Sequence, residues 1–180
     1  GRRAAAAAWA EGSGPPEGTD ASSLALLKET KFAVDDDTRQ TLALALLDCL
    51  GSPDPKLRDG IAYEAFTEWL RSGQLSPELR AQLRDRLYKM LEQPDEEGFR
   101  QPFAALVLSE IARTDRMGMW MSSKERLAMV KAATNYLRSV QDYRGFDDEQ
   151  GWRHAVAHGS DWLLQLALNP AVERAQLDQI

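Results

Sequence analysis

The sequence predicts an all-α fold, and three observations carry that expectation. From Leu24 onward apolar residues recur at three- and four-residue spacing, and no stretch alternates with the period of two that a half-buried strand needs. Most of the apolar runs open on a Ser, Asp or Pro start signal, and several close on Gly or Pro. The runs also repeat in pairs, so that one helix-pair unit recurs about three times along the chain.

The elements follow in order. Residues 1–23, GRRAAAAAWAEGSGPPEGTDASS, are expected to be a disordered leader, since Gly, Pro, Ser and Ala dominate and no apolar face survives them. Ala8-Trp9-Ala10 ahead of Glu11 has the small-x-small form of a signal-peptidase site, with Arg2 and Arg3 upstream. An export remnant and a low-complexity alanine run fit this equally well, so periplasmic and cytoplasmic locations both stay open. Residues 24–180 are expected to be a single all-α helical-repeat domain, with 43% hydrophobic positions in the 180-residue chain to build one core.

Asp35, Asp36 and Asp37 cap a helix through Leu50, ended by Gly51 and Pro53. Asp54-Pro55 opens a second, DPKLRDGIAYEAFTEWL, with Pro in its first turn. Ser76-Pro77-Glu78 opens a third, striped by Leu79, Leu83, Leu87 and Leu91. After Pro94 a fourth runs from about Glu97 to Thr114. Ser122-Ser123-x-Glu125 opens a fifth, with Leu127, Val130, Leu137 and Val140 inward. The sixth begins near Gln150 and ends at Asn169-Pro170, before a short last segment, AVERAQLDQI.

Placing LRDGIAYEAFTEWL over FRQPFAALVLSEIA over WRHAVAHGSDWLLQ aligns Leu57/Phe99/Trp152, Ile61/Phe103/Val156 and Trp69/Ile111/Leu164 as apolar anchors. Ala62/Ala104/Ala157 form a small-residue column, and Arg58/Arg100/Arg153 a basic one. A two-helix unit of roughly 40–47 residues is the mark of HEAT and armadillo arrays, so the expected architecture is a HEAT/armadillo-like α-solenoid of about three helix pairs. Stacked repeats would pair each arginine with acids of the next repeat as a ladder.

The stretch DYRGFDDEQGWRHAVAHGSDWLLQLA, Asp142 to Ala167, concentrates the chemistry, holding both histidines and two of the five tryptophans. Its R-G-F turn followed by G-W-x-H-x-x-A-H-G resembles an uncharacterised bacterial family known as a domain of unknown function. The likeness runs from about Leu42 to Ile180, through LRDG at Leu57–Gly60, QPFAALVLSE at Gln101–Glu110 and RTDR at Arg113–Arg116. Gln101 stands where the pattern implies a basic residue. The resemblance implies helical repeats, with some members that look exported. It implies no activity.

His154, His158 and Asp161 stand at i, i+4, i+7, which is one face of a helix. They could hold zinc or iron, with Asp142, Asp147, Asp59 or water as a fourth ligand, although the glutamate of an H-E-x-x-H pattern is missing. The other reading is a ligand-binding or structural cluster of Asp142, Arg144, Trp152, Arg153, His154, His158, Asp161, Asp59 and Tyr63 that locks the R-G-F loop. In that reading Gly145 takes a glycine-favouring turn conformation. Asp161 aligns with Phe66 and Leu108, so its carboxylate is expected to point toward the interior or the groove and to need a partner there.

Composition narrows the classes. A net charge of -6, with 28 acidic against 22 basic residues and no basic run, argues against a nucleic-acid partner. No window has the length of a membrane span. Cys49 is the one cysteine, set in an apolar run, so it reads as an inert buried thiol. Phosphate-loop, dinucleotide and serine-hydrolase motifs are missing. The expected function is a non-catalytic binding or scaffold domain without a cofactor. It would present its inner helices, Asp54–Ser72, Glu97–Thr114 and Gln150–Leu168, to a protein or small-molecule ligand. The alternative is a metal-dependent hydrolase or oxygenase built on His154, His158 and Asp161.

Overall fold

The computed structural model describes residues 14–180, and the alanine run with its small-x-small site lies outside the described residues. Helix α1, Ala21–Glu29, starts within the stretch expected to be leader. Asp20 makes that start possible: its carboxylate accepts from the Ser23 amide at 2.7 Å, and the Ser23 hydroxyl accepts from the Asp20 amide at 3.2 Å. Helix α2, Asp36–Ala45, is capped by Asp35 and stops short of Leu50, giving way to a 3₁₀ turn at Asp48–Gly51.

The rod that follows is not uniform. Helix α3, Pro55–Leu57, runs into a π-helical turn, Arg58–Tyr63, and then into α4, Glu64–Arg71. Such turns carry one extra residue and recur at functional sites. Helix α5 spans Pro77–Glu92 behind Ser76, α6 spans Arg100–Met117, and α7 spans Ser123–Ser139 behind a Ser122/Glu125 capping box. Two short antiparallel strands, β1 (Phe146–Asp147) and β2 (Gly151–Trp152), pair Phe146 with Trp152. Helices α8, Ala155–Ala167, and α9, Arg174–Leu177, follow. The described chain is thus mostly helical, with one small hairpin.

Helix α6 is the centre of the packing. It lies against α4, α5 and α8, and α8 lies in turn against α7. Its buried residues include Phe103, Val107, Leu108 and Ile111, and they go around the whole helix rather than along one stripe. One hydrophobic core runs from Leu24 to Val172 and includes Trp69, Phe66, Phe99 and Trp162. Trp69 satisfies its indole N–H on the Phe32 carbonyl at 3.0 Å.

Burial agrees between the first two aligned units and departs in the third. Leu57/Phe99, Ile61/Phe103, Phe66/Leu108 and Trp69/Ile111 are all buried. Trp152, Val156 and Leu164, expected as their counterparts, are 50%, 46% and 52% exposed. The hairpin is the cause. It occupies residues expected to be helical, so α8 starts at Ala155 instead of near Gln150, and the buried face falls on His158, Gly159, Trp162, Leu163 and Leu166. No helix among the described residues is long and apolar enough to cross a membrane.

Candidate functional site

Two arginines and one phenylalanine organise the site. Arg58, in the π-helical turn, is wholly buried, with its guanidinium 3.9 Å from the centroid of Phe99. Arg153 lies over the same ring at 4.4 Å. Arg58 donates to the Ser52 carbonyl at 3.0 Å and to the Gln150 carbonyl at 2.7 Å, while Arg153 donates to the Gln150 side-chain oxygen at 2.9 Å and to the Glu97 carbonyl at 2.8 Å. Both arginines therefore hold Gln150, at the tip of the hairpin. The expected ladder onto acids of the next repeat is not formed. Arg58 pairs with its own neighbour Asp59 at 2.8 Å, and Arg100 reaches the Pro94 carbonyl at 3.4 Å. Loop carbonyls at the helix starts have no helical partner and compete for the guanidinium groups.

The loop before the hairpin is docked as well, chiefly through Arg144, while the Gly145 carbonyl accepts from the Arg153 amide at 3.4 Å. Arg144 forks onto Asp142, with contacts of 2.9 and 2.6 Å, and donates to the Glu96 carbonyl at 2.9 Å. This pair sits directly over Gly98, whose φ of 76° is left-handed. Gly145 is outside the left-handed region, which corrects the expectation for the R-G-F turn; Gly151 has it instead, at φ 81°. The Asp142 carboxyl sits below the ordinary carboxylate range, first because of Arg144.

Helix α8 begins at an unusual cap. His154 adopts φ 56°, ψ 34°, a left-handed conformation that a histidine adopts more readily than most side chains. Its ring lies flat on Trp152, with centroids 4.4 Å apart and planes within 10°. From there the rings form a continuous path. His154 stands 5.4 Å from His158, His158 is edge-on to Phe103 at 5.3 Å, and Phe103 is edge-on to Tyr63 at 6.4 Å. Phe146 extends it outward, 5.3 Å from Trp152.

His158 is the polar centre of this path. Only 8% of it is exposed, and among the described residues neither ring nitrogen has a hydrogen-bond partner. Burial, followed by the neighbouring His154 and Arg58, pushes it down to about 4, so it is neutral near pH 7. Asp59 is moved the other way: burial raises its carboxyl, although Arg58 pulls it back. Burial also raises the Tyr63 phenol. Asp161 is not buried as the aligned Phe66 and Leu108 are. Its side chain is 56% exposed, and its Oδ2 stands 4.0 Å from His158 Nδ1, beyond hydrogen-bond length.

The structure thus brings Asp59, Tyr63, Trp152, His154, His158 and Asp161 together, and sets Asp142, Arg144 and Arg153 beside them as loop clamps. Among the described residues no three of His, Cys, Asp and Glu are arranged to hold a metal ion. Phe99, Phe103, Gln150 and Gly98 were not singled out as site residues. Phe99 and Phe103 were visible only as repeat anchors, and the other two carry no local signal. Cys49 is buried, and burial pushes its thiol up to about 12, far from nucleophile range.

These features define a mostly helical protein with a histidine–aromatic cluster where the π-helical turn, α6 and the start of α8 meet. The family described as "Protein of unknown function (DUF2785)" matches residues 87–180, more than half of the chain, and the chain belongs to it. The match takes in α6, α7, the hairpin and α8, and so all of the cluster except Arg58, Asp59 and Tyr63. No curated protein and no solved structure matches the chain.

Proposed function

We propose that this chain is a non-catalytic binding module, a HEAT-like array whose inner helices hold a ligand over Asp59, Tyr63, His154, His158 and Asp161. The observation that carries the reading is His158. A buried polar group left without a partner costs about 1–3 kcal/mol, which a ligand supplying one donor or acceptor recovers. His158 offers both functions as a neutral imidazole, beside an exposed carboxylate and an aromatic wall. The shared burial of the Leu57–Trp69 and Phe99–Ile111 anchors supports the repeat architecture. The test is native mass spectrometry of protein isolated gently from its own cells. A bound small molecule or protein kept by the native chain and lost from folded His158→Phe supports the reading; equal retention by both overturns it.

A second reading rests on the 4.0 Å approach of Asp161 to His158. Closing that gap with His154 would make a zinc or iron site for a hydrolase or oxygenase. Elemental analysis of protein purified without chelator separates the two. Stoichiometric metal that disappears in His158→Ala selects the metal site.

A further inference from the structure

We propose that the groove between the π-helical turn and α8 binds a primary ammonium on an apolar arm, held between the Asp161 carboxylate and His158 Nδ1. The inference rests on the binding reading above and names the chemistry of its ligand. The floor of the groove is Phe103, edge-on to His158 on one side and to Tyr63 on the other. Asp59 is within electrostatic reach of His154, and Tyr63 of Asp161, so the two walls face each other across that ring.

Charge balance gives the sign of the ligand. Of the nearby acids Asp59, Glu110 and Asp161, the first two already have a cation. Arg58 meets Asp59 at 2.8 Å, and Arg71 meets Glu110 at 2.7 Å. Asp161 has no such partner: among the described residues its ion-pair contact is His158, at 4.0 Å, and that ring is neutral near pH 7. One carboxylate is therefore in surplus, and a cation is its complement.

Donor geometry narrows the cation. His158 is more than nine-tenths buried with neither ring nitrogen bonded among the described residues, so a donor reaching Nδ1 displaces no existing bond. A neutral imidazole with its proton on Nε2 accepts there. A nitrogen about 2.9 Å from both Nδ1 and Oδ2, themselves 4.0 Å apart, sees them about 90° apart. Two N–H bonds of one ammonium can serve both at that angle, whereas a quaternary ammonium has no N–H to give. A zinc ion about 2.1 Å from each would see them about 150° apart, far from tetrahedral. Both ring nitrogens are shielded from water, and the mostly exposed Asp161 side chain is the wall that swings to admit the group.

The surroundings set the arm. Trp152, stacked on His154, and Phe146 beyond it continue the wall outward as half-exposed rings. An apolar arm covers them, and the ring faces attract the ammonium that carries it.

The test is an NMR titration of the full 180-residue chain near pH 7. The probes are benzylamine, benzyltrimethylammonium, benzyl alcohol, benzoate and Nα-acetyl-lysine amide. The proposal expects benzylamine to give saturable shifts at Tyr63, His158 and Asp161, binding at least about tenfold tighter than the quaternary cation, the alcohol or the anion. Folded Asp161→Asn should lose them. The lysine amide carries the same ammonium on an aliphatic stem. If it binds tighter than benzylamine, the source is a partner protein's lysine; if weaker, a free amine, and either supports the ammonium. Equal binding of the quaternary cation, the alcohol or the anion overturns the ammonium bridge while leaving a binding site in place. Undiminished binding of benzylamine by Asp161→Asn overturns it too. No saturable shift with either amine also overturns it, and retention in native mass spectrometry then judges the binding reading by itself.

Discussion

The Asp115 carboxylate and the Arg126 guanidinium form a closed buried fork, with Nε–Oδ2 at 2.7 Å and Nη2–Oδ1 at 3.1 Å. The same carboxylate accepts from the amides of Trp120 and Met121, at 2.9 and 2.8 Å, and from the Asn169 side chain at 2.8 Å. One acid thus ties the end of α6 to the turn before α7, to α7 itself and to the residue after α8. Removing one partner from a buried, hydrogen-bonded pair costs about 3–5 kcal/mol. Asp115→Ala should lower the free energy of unfolding by that amount, read from urea titrations. Burial pushes the carboxyl up, but Arg126 and the amide donors outweigh it, and its position falls below the ordinary value. Its contribution is therefore complete above about pH 4 and is lost as pH falls through the lowered value. Urea titrations of Asp115→Asn should lack that acid-side loss.

Gly98 is the hinge on which the Asp142–Arg144 loop rests. At φ 76° any side chain is strained, and a Cβ there would overlap the Asp142 carboxylate and stand 2.7 Å from Arg144 Nη2. Gly98→Ala should cost about 1–3 kcal/mol and raise hydrogen exchange across the hairpin. Gly145→Ala should stay within about 0.5 kcal/mol, because its Cβ would meet only Trp152, at 3.6 Å. A reversed ranking in thermal melts refutes this account of the loop.

Much of the helical plan was legible because helix starts are local chemistry. Asp35, Asp54-Pro55, Ser76-Pro77 and the Ser122/Glu125 box all cap where expected. The hairpin was not legible, since two-residue strands have no room to alternate. The hairpin displaces the start of α8, and it leaves Asp161 mostly exposed although it aligns with the buried Phe66 and Leu108. The role of Arg58 was hidden for a different reason. Its partner is a backbone carbonyl 92 positions away, at Gln150, and a carbonyl looks the same at every residue. The histidine pair survived the error because His154 and His158 are one turn apart whether His154 caps the helix or belongs to it.

His158 sets an acid limit to stability. Its folded value of about 4 lies below the ordinary 6.5, so the unfolded chain binds the proton first. The contribution is fully present above pH 6.5 and is lost as pH falls from there toward 4, by up to roughly 3 kcal/mol. His158→Phe removes the titrating group from its aromatic surroundings. The stability of the native chain relative to the variant should therefore be constant above pH 6.5 and should fall as pH drops from 6.5 toward 4. The diagnostic quantity is the slope between pH 4 and 6.5, which should fall in the variant. An unchanged slope means the imidazole is solvated.

Asp161 separates a site residue from a structural one. Its side chain is 56% exposed and makes no hydrogen bond among the described residues, with His158 Nδ1 at 4.0 Å. A carboxylate held that way contributes little to folding, so Asp161→Ala should change stability by less than about 0.5 kcal/mol. An inward, paired carboxylate would instead cost several times as much. The same substitution removes the exposed charge beside the unpartnered imidazole, so ligand retention in native mass spectrometry should drop while the melting curve stays put. A clear loss of stability would mean that the protein itself uses the carboxylate, and the proposed site would lose its acid. Unchanged stability with unchanged retention would leave His158 and the aromatic wall as the whole of the binding surface.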